Sequence, residues 1–188
     1  MHSKRLHFDI KIFDSNTELN ASDRKLIREA KDAILKAYAI YSQFMVGAAA
    51  LLEDGTILSS GNQENASYPL CLCAEQTLTG AIRSHDPNAV IKTIAITGFS
   101  LDERYLPPLA PCGGCRQILL EWELRQESPI RLLLKGTEDR VVMIGSCKDL
   151  LPLAFDGRYL PGQPLSEEPE MPLDDEGPDD SGGDSGIE

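Results

Sequence analysis

No apolar run in this chain approaches the roughly 20 residues a helix needs to cross a bilayer, so no membrane partner is expected. Met1 to Asp14 is broken by His2, Lys4, Arg5, His7, Asp9 and Lys11 and has no apolar core of a signal peptide; cytoplasm is the expected compartment. Aromatics are few, 6% of residues with a single Trp, and no strip interleaves them with basic residues as single-stranded nucleic acid requires. A basic excess is missing too: 18 Lys and Arg face 30 Asp and Glu, a net charge of −12. Ten of those acidic residues lie in 161–188, which holds no Lys or Arg, so the preceding body carries 20 acidic against 18 basic residues. A near-neutral body with an acidic end lacks the footprint of a nucleic-acid binder. Histidine is scarce, and His2, His7 and His85 fall outside every motif. The five cysteines are an odd number that fits no paired disulfide framework, and a Cys-x-x-Cys pair in a cytosolic chain points to metal or redox chemistry.

What is present suffices for one domain of 188 residues with a sizeable core, given 41% hydrophobic residues. Residues 1–20 read as an extension, with a short extended piece at His7 to Phe13, and 21–160 as the domain. Residues 161–188, rich in Pro, Gly, Ser, Asp and Glu, bury too little to offset ordering entropy and read as a disordered acidic tail. Within the domain, Ser22 is placed to cap a helix whose apolar face runs through Leu26, Ile27, Ala30, Ala33, Ile34 and Ala37 to about Ile40. Val46–Leu52 and Thr56–Ser60 form strands joined by the Asp54-Gly55 turn. An irregular loop from Gly61 to Leu72 leads into a helix from Cys73 to Ser84, and Val90–Gly98 is a β-branched strand. A proline-rich loop precedes a helix from Cys112 to Leu124; Ile130–Leu134 and Val141–Ile144 complete the strands. This order predicts an α/β fold, a mixed five-stranded sheet with helices on its faces.

The chemistry concentrates at Cys73-Ala74-Glu75 and Pro111-Cys112-Gly113-Gly114-Cys115. One cysteine opening one helix and two opening another can hold a tetrahedral zinc on three sides and leave the fourth position for water. Helix starts are electropositive and favour thiolate over thiol. Glu75 supplies a group that can take a proton from that water and deliver it to a leaving group. A purely structural zinc would instead need a fourth protein ligand, for which Cys71 and Cys147 are the candidates; otherwise both are core thiols.

Five blocks in order then resemble cytidine deaminases of the homo-oligomeric, three-cysteine type, over roughly residues 22–156. They are Tyr41-Ser42-Gln43-Phe44-Met45-Val46-Gly47-Ala48-Ala49, Asn62-Gln63-Glu64-Asn65-Ala66-Ser67-Tyr68, Cys73-Ala74-Glu75, Pro111-Cys112-Gly113-Gly114-Cys115-Arg116-Gln117 and Leu150-Leu151-Pro152-Leu153-Ala154-Phe155. The resemblance implies the three-layer α/β/α architecture of that family, one Zn2+ per subunit on Cys73, Cys112 and Cys115, and Glu75 as proton shuttle. It implies hydrolytic deamination of cytidine and deoxycytidine in pyrimidine salvage. Asn62 and Glu64 would bind the ribose and Phe44 would lie against the pyrimidine. The Ala110 carbonyl would receive the leaving amine, and Ala74 is counted among the substrate contacts. Phe155 would reach a neighbouring subunit's site in a homotetramer.

One departure stands out: where the family continues Cys-Ala-Glu-Arg, with the arginine donating to the thiolates, this chain has Gln76. Glutamine donates a hydrogen bond without charge, which predicts a less acidic metal unless helix dipoles or Arg116 compensate. Two other functions fit the same residues: a deaminase of the same fold acting on another aminated heterocycle or nucleoside antibiotic, and a zinc-stabilised binding protein without catalysis.

Overall fold

The computed structural model describes residues 2–102, 106–157 and 160; the acidic tail expected at 161–188 lies outside them. The elements in order are β1 (Ile10–Phe13), α1 (Ala21–Ala33), β2 (Phe44–Leu52), β3 (Ile57–Gly61), α2 (Ala74–His85), β4 (Ile91–Ser100), α3 (Gly113–Arg125), β5 (Arg131–Lys135) and β6 (Val141–Ile144). The strands form one sheet in the order β1-β6-β5-β4-β2-β3, antiparallel except for the β4–β5 pair. The sheet is mixed, as expected, but has six strands instead of five. The extra strand is β1, whose Ile10–Phe13 pairs with Ile144–Val141. It falls within the extended piece expected at His7–Phe13, but its place in the sheet depends on pairing with a segment far away in the sequence.

Strand alternation decides which side each helix covers. Ala48, Ala50, Ile94, Ile96, Leu132, Leu134 and Ile144 point to the face that carries α2 and α3, where they pack with Leu78, Ile82, Leu119 and Trp122. Ala49, Ala95, Leu133 and Val141 point to the opposite face and pack under α1 through Leu26, Ile27 and Ala30. The α1 face is made of smaller residues at its centre, which lets the helix come close. At Gly47 the approach is limiting: a Cβ there would sit 2.0 Å from the Ala30 carbonyl oxygen. The first turn of α1 is pinned to β5 by buried Asp23, which receives both terminal nitrogens of Arg131.

α1 is shorter than its apolar periodicity suggests. Asn20 and not Ser22 is the cap, accepting from the Asp23 N–H at 2.9 Å. The helix gives way to a 3-10 turn at Ile34–Lys36. Beyond it Tyr38 is extended, because its N–H donates to the Asn62 carbonyl at 2.9 Å and its carbonyl accepts from the Glu64 N–H at 2.8 Å. Those bonds carry the segment before β2 alongside the 62–64 loop. Among the described residues no helix is long and apolar enough to cross a membrane.

Candidate active site

The loop from Gly61 to Leu72 is closed at its base by reciprocal 2.8 Å hydrogen bonds between Gln63 and Leu72. It delivers Cys73 as the N-cap of α2, and Cys112 is the N-cap of α3. Both caps have extended backbones that turn their side chains back over the first helical turn, where unpaired N–H groups gather. Cys112 Sγ accepts from the Cys115 N–H at 3.5 Å. At Cys73 the reciprocal half of a capping box is supplied by Gln76, whose Oε1 accepts from the Cys73 N–H at 2.9 Å.

The two helix starts bring Cys73, Cys112 and Cys115 together with all three sulfurs within 4.8 Å of one another. Zinc–sulfur bonds of about 2.3 Å in a tetrahedron place sulfurs about 3.8 Å apart. The Cys73 and Cys112 sulfurs are 3.8 Å apart and those of Cys112 and Cys115 are 3.5 Å apart, spacings close to those the ion requires. Protonation points the same way. Hydrogen bonding from Cys115 holds Cys73 down at about 6, while that same partnership and burial push Cys115 far up. Three sulfurs this close cannot all be thiolates unless a cation neutralises them. Cys71 and Cys147 are not in the cluster, so no fourth cysteine closes the site. Cys147 is a buried thiol, pushed up by desolvation, as expected of a core cysteine. Cys71 is different: it is half-buried and lines the adjoining cavity, its sulfur accepting from the Asn65 N–H at 3.2 Å.

Glu75 lies one residue into α2, only 5% exposed, and burial raises its carboxyl above the ordinary carboxylate value; bonds from its own N–H and from Cys115 oppose the rise. It borders a cavity of about 360 Å³, a size suited to a small organic ligand. Cys73 and Cys112 form one wall with Glu75, and Asn62, Glu64, Phe44 and Ala110 form others. The expected site residues therefore converge, with two exceptions. Ala74 is fully buried in the core and does not line the cavity, and Phe155 lies outside it, 57% exposed with its carbonyl accepting from Gln117 Nε2 at 2.9 Å.

Several groups at the cavity escape sequence reasoning. Leu109 and Leu72 give it apolar surface. Ser42 sits at its rim, where its hydroxyl donates to Glu64 Oε1 and accepts from the Phe44 N–H at 3.0 Å. Glu64 also accepts from the N–H groups of Tyr41 at 2.8 Å and Ser42 at 3.3 Å, and these donors hold its pKa below the usual value, with the Ser42 hydroxyl the largest contributor. The turn that allows this puts Gln43 at φ 56°, a left-handed conformation uncommon outside glycine. Asn62 spends one N–H on the Phe44 carbonyl at 3.0 Å and one lone pair on the Val46 N–H at 2.8 Å, keeping one of each for a ligand. Arg116 directs Nε to the Pro111 carbonyl at 2.9 Å and a terminal nitrogen to the Leu150 carbonyl at 3.2 Å, bracing the loop ahead of Cys112.

A family model described as the cytidine and deoxycytidylate deaminase zinc-binding region matches residues 20–127. The cytidine deaminase of Mycobacterium tuberculosis is 38% identical over 129 residues, 67% of this chain and 84% of that protein. That of Sporosarcina psychrophila is 37% identical over 137 residues, 70% of this chain and 89% of that protein. Among solved structures, cytidine deaminase from Burkholderia pseudomallei superimposes with a TM-score of 0.61 at 39% identity, covering 70% of this chain and 97% of that one.

Proposed function

This chain belongs to the cytidine and deoxycytidylate deaminase family, and we propose on that premise that it hydrolyses cytidine and deoxycytidine to uridine and deoxyuridine, releasing ammonia. The observation that carries the reading is the position of Glu75, a buried carboxyl that lines a ligand-sized cavity together with Cys73 and Cys112 of the zinc-fitting cysteine triad. Cys73, Cys112 and Cys115 would hold one Zn2+, which when bound makes water nucleophilic at neutral pH.

The chain's own groups then have the following roles. Glu75 takes the proton that water gives up, passes it to the pyrimidine ring nitrogen, and assists departure of the exocyclic amine as ammonia. The Ala110 carbonyl at the cavity edge accepts a hydrogen bond from that amine. Phe44 offers its ring face to the flat base. Asn62, with an N–H and a lone pair left over, and Glu64, an ionised acceptor, bind the ribose hydroxyls. Ala74 contributes through its main chain between Cys73 and Glu75. The catalytic unit is residues 21–160, with 1–20 as an extension and 161–188 as a tail. Phe155, whose side chain is exposed in the single chain, would reach a neighbouring subunit's site in a homotetramer. A cytoplasmic location suits three cysteines that must stay reduced to bind metal, and a role in pyrimidine salvage follows from the substrate.

Asn62 and Glu64 give the substrate assignment its test. The enzyme should act on cytidine and deoxycytidine and leave cytosine untouched. Turnover of free cytosine at a comparable rate would transfer the activity to another aminated heterocycle.

A further inference from the structure

Gly98 is buried near the end of β4, on the sheet face of Ile94 and Ile96 and opposite Val46 of β2. It does not itself line the cavity, but it fixes where two lining side chains sit. A Cβ at Gly98 would stand 2.9 Å from Leu109 Cδ2 and 3.6 Å from Phe44 Cζ. Non-bonded carbons rest about 3.5–4.0 Å apart, so a side chain at 98 and Leu109 in its present place exclude each other. The backbone does not demand glycine here, because among the described glycines only Gly55 has a positive φ. What Gly98 supplies is room. Leu109 uses it to settle on β4 while its other side faces the cavity, next in the chain to Ala110.

The cytidine deaminase reading gives that room a use, and the inference rests on it. In that reading the ring nitrogen N3 goes to Glu75, the amine to the Ala110 carbonyl and the ribose to Asn62 and Glu64. The C5–C6 edge of the ring, across from C2 and N3, carries only C–H bonds and has no polar group to satisfy. It belongs on apolar surface. C5 flanks the amine-bearing carbon on the side away from N3, and Leu109 flanks Ala110. We propose that Leu109 packs against C5 and that Gly98 is a specificity-determining residue: by keeping Leu109 seated on β4 it leaves space for a small substituent at C5. The chain then deaminates 5-methylcytidine as well as cytidine. Water adds at the amine-bearing carbon and ammonia leaves, giving 5-methyluridine, with the methyl group a bystander.

The test is kcat/KM for cytidine and for 5-methylcytidine, measured on the zinc-loaded full chain as parent, Gly98→Ala, Leu109→Ala and the double variant. The parent should use the two substrates within about tenfold of each other. Gly98→Ala drives the end of Leu109 off the strand toward the cavity and should lower the 5-methylcytidine-to-cytidine ratio by about tenfold or more, the discrimination one extra carbon produces in a tight apolar site. Leu109→Ala added to it removes the displaced side chain and should restore the ratio. Leu109→Ala alone leaves β4 unstressed and reads the same contact from the other side: it should raise the ratio for 5-iodocytidine over cytidine about fivefold or more. A parent active on cytidine but more than about tenfold poorer on 5-methylcytidine would overturn the proposal. So would a Gly98→Ala variant that loses both substrates equally, a double variant without recovery, or a Leu109→Ala variant indifferent to 5-iodocytidine. A parent inactive on every cytidine sinks the deaminase reading itself, and the inference with it.

Discussion

The hydroxyl of Ser42 bridges Glu64 and the N–H of Phe44, tying the carboxylate assigned to the ribose to the residue assigned to the base. Neither partner is catalytic, so the bridge acts on binding. Ser42→Ala should raise KM for cytidine about 3–10-fold with kcat nearly unchanged, the range expected for one charge-assisted bond at an accessible site. The sign of the pH effect follows. Ser42 helps hold the Glu64 pKa down, so the carboxylate stays ionised as pH falls; without the hydroxyl its protonation, and the accompanying rise in KM, begins at higher pH. Steady-state kinetics against pH on both proteins check this, and an equal fall in kcat and kcat/KM would place Ser42 in the chemical step instead.

Thiol reactivity reports the metal. Of the five cysteines, three hold zinc in this account, Cys147 is buried, and Cys71 faces the cavity. A disulfide reagent at neutral pH should titrate one thiol in the native zinc protein, Cys71, and Cys71→Ala should abolish that reaction. Removing zinc with a strong chelator should expose two more, Cys73 and Cys112, with the buried Cys115 and Cys147 reacting only on unfolding. Three fast thiols before chelation would mean that the triad does not retain the ion.

Gln76 spends its side-chain oxygen on the Cys73 N–H, which holds the cap of α2 in place but brings no charge to the sulfurs. Arg116, the other candidate to supply charge, is turned to two backbone carbonyls. Gln76→Arg adds a positive charge beside the thiolates and should move the acid limb of the kcat profile to lower pH, because a more electropositive metal activates water more readily. The same variant loses the acceptor for the Cys73 N–H and should lower stability by about 1 kcal/mol in urea unfolding. An unchanged profile would show that the helix starts alone set the acidity of the metal.

The clustering of Cys73, Cys112 and Cys115, the place of Glu75 beside them and the order of helices and strands were legible because each depends on local pattern. Cys73 and the Cys112/Cys115 pair sit at helix starts that capping chemistry locates, and strands β2 to β6 alternate between two buried faces. The end of α1 was not legible, since Ile34 and Ala37 keep the apolar period and only the Tyr38 bonds to Asn62 and Glu64 stop the helix. An extended piece at His7–Phe13 was legible, but its membership of the sheet was not, because its partner β6 lies far away in the sequence. Asn62 illustrates a partial success. Its place at the cavity was expected, but its second job, bridging the Phe44 carbonyl and the Val46 N–H, belongs to tertiary structure and leaves no sequence signal. The difference between Cys71 and Cys147 is of the same kind, since only the closed 62–72 loop turns one of two similar thiols toward the cavity.

The central claim is that Glu75 moves the proton in a zinc-dependent deamination of cytidine. It is tested most directly by following the loss of cytidine absorbance with the parent and with Glu75→Gln, zinc content being measured on both. Glutamine keeps the size and burial of the side chain and removes its capacity to accept a proton. The account predicts an active parent and a variant that retains one zinc per chain while losing about 10²-fold or more in kcat. A zinc-loaded parent inactive on cytidine, or a Glu75→Gln variant of parental turnover, would contradict it.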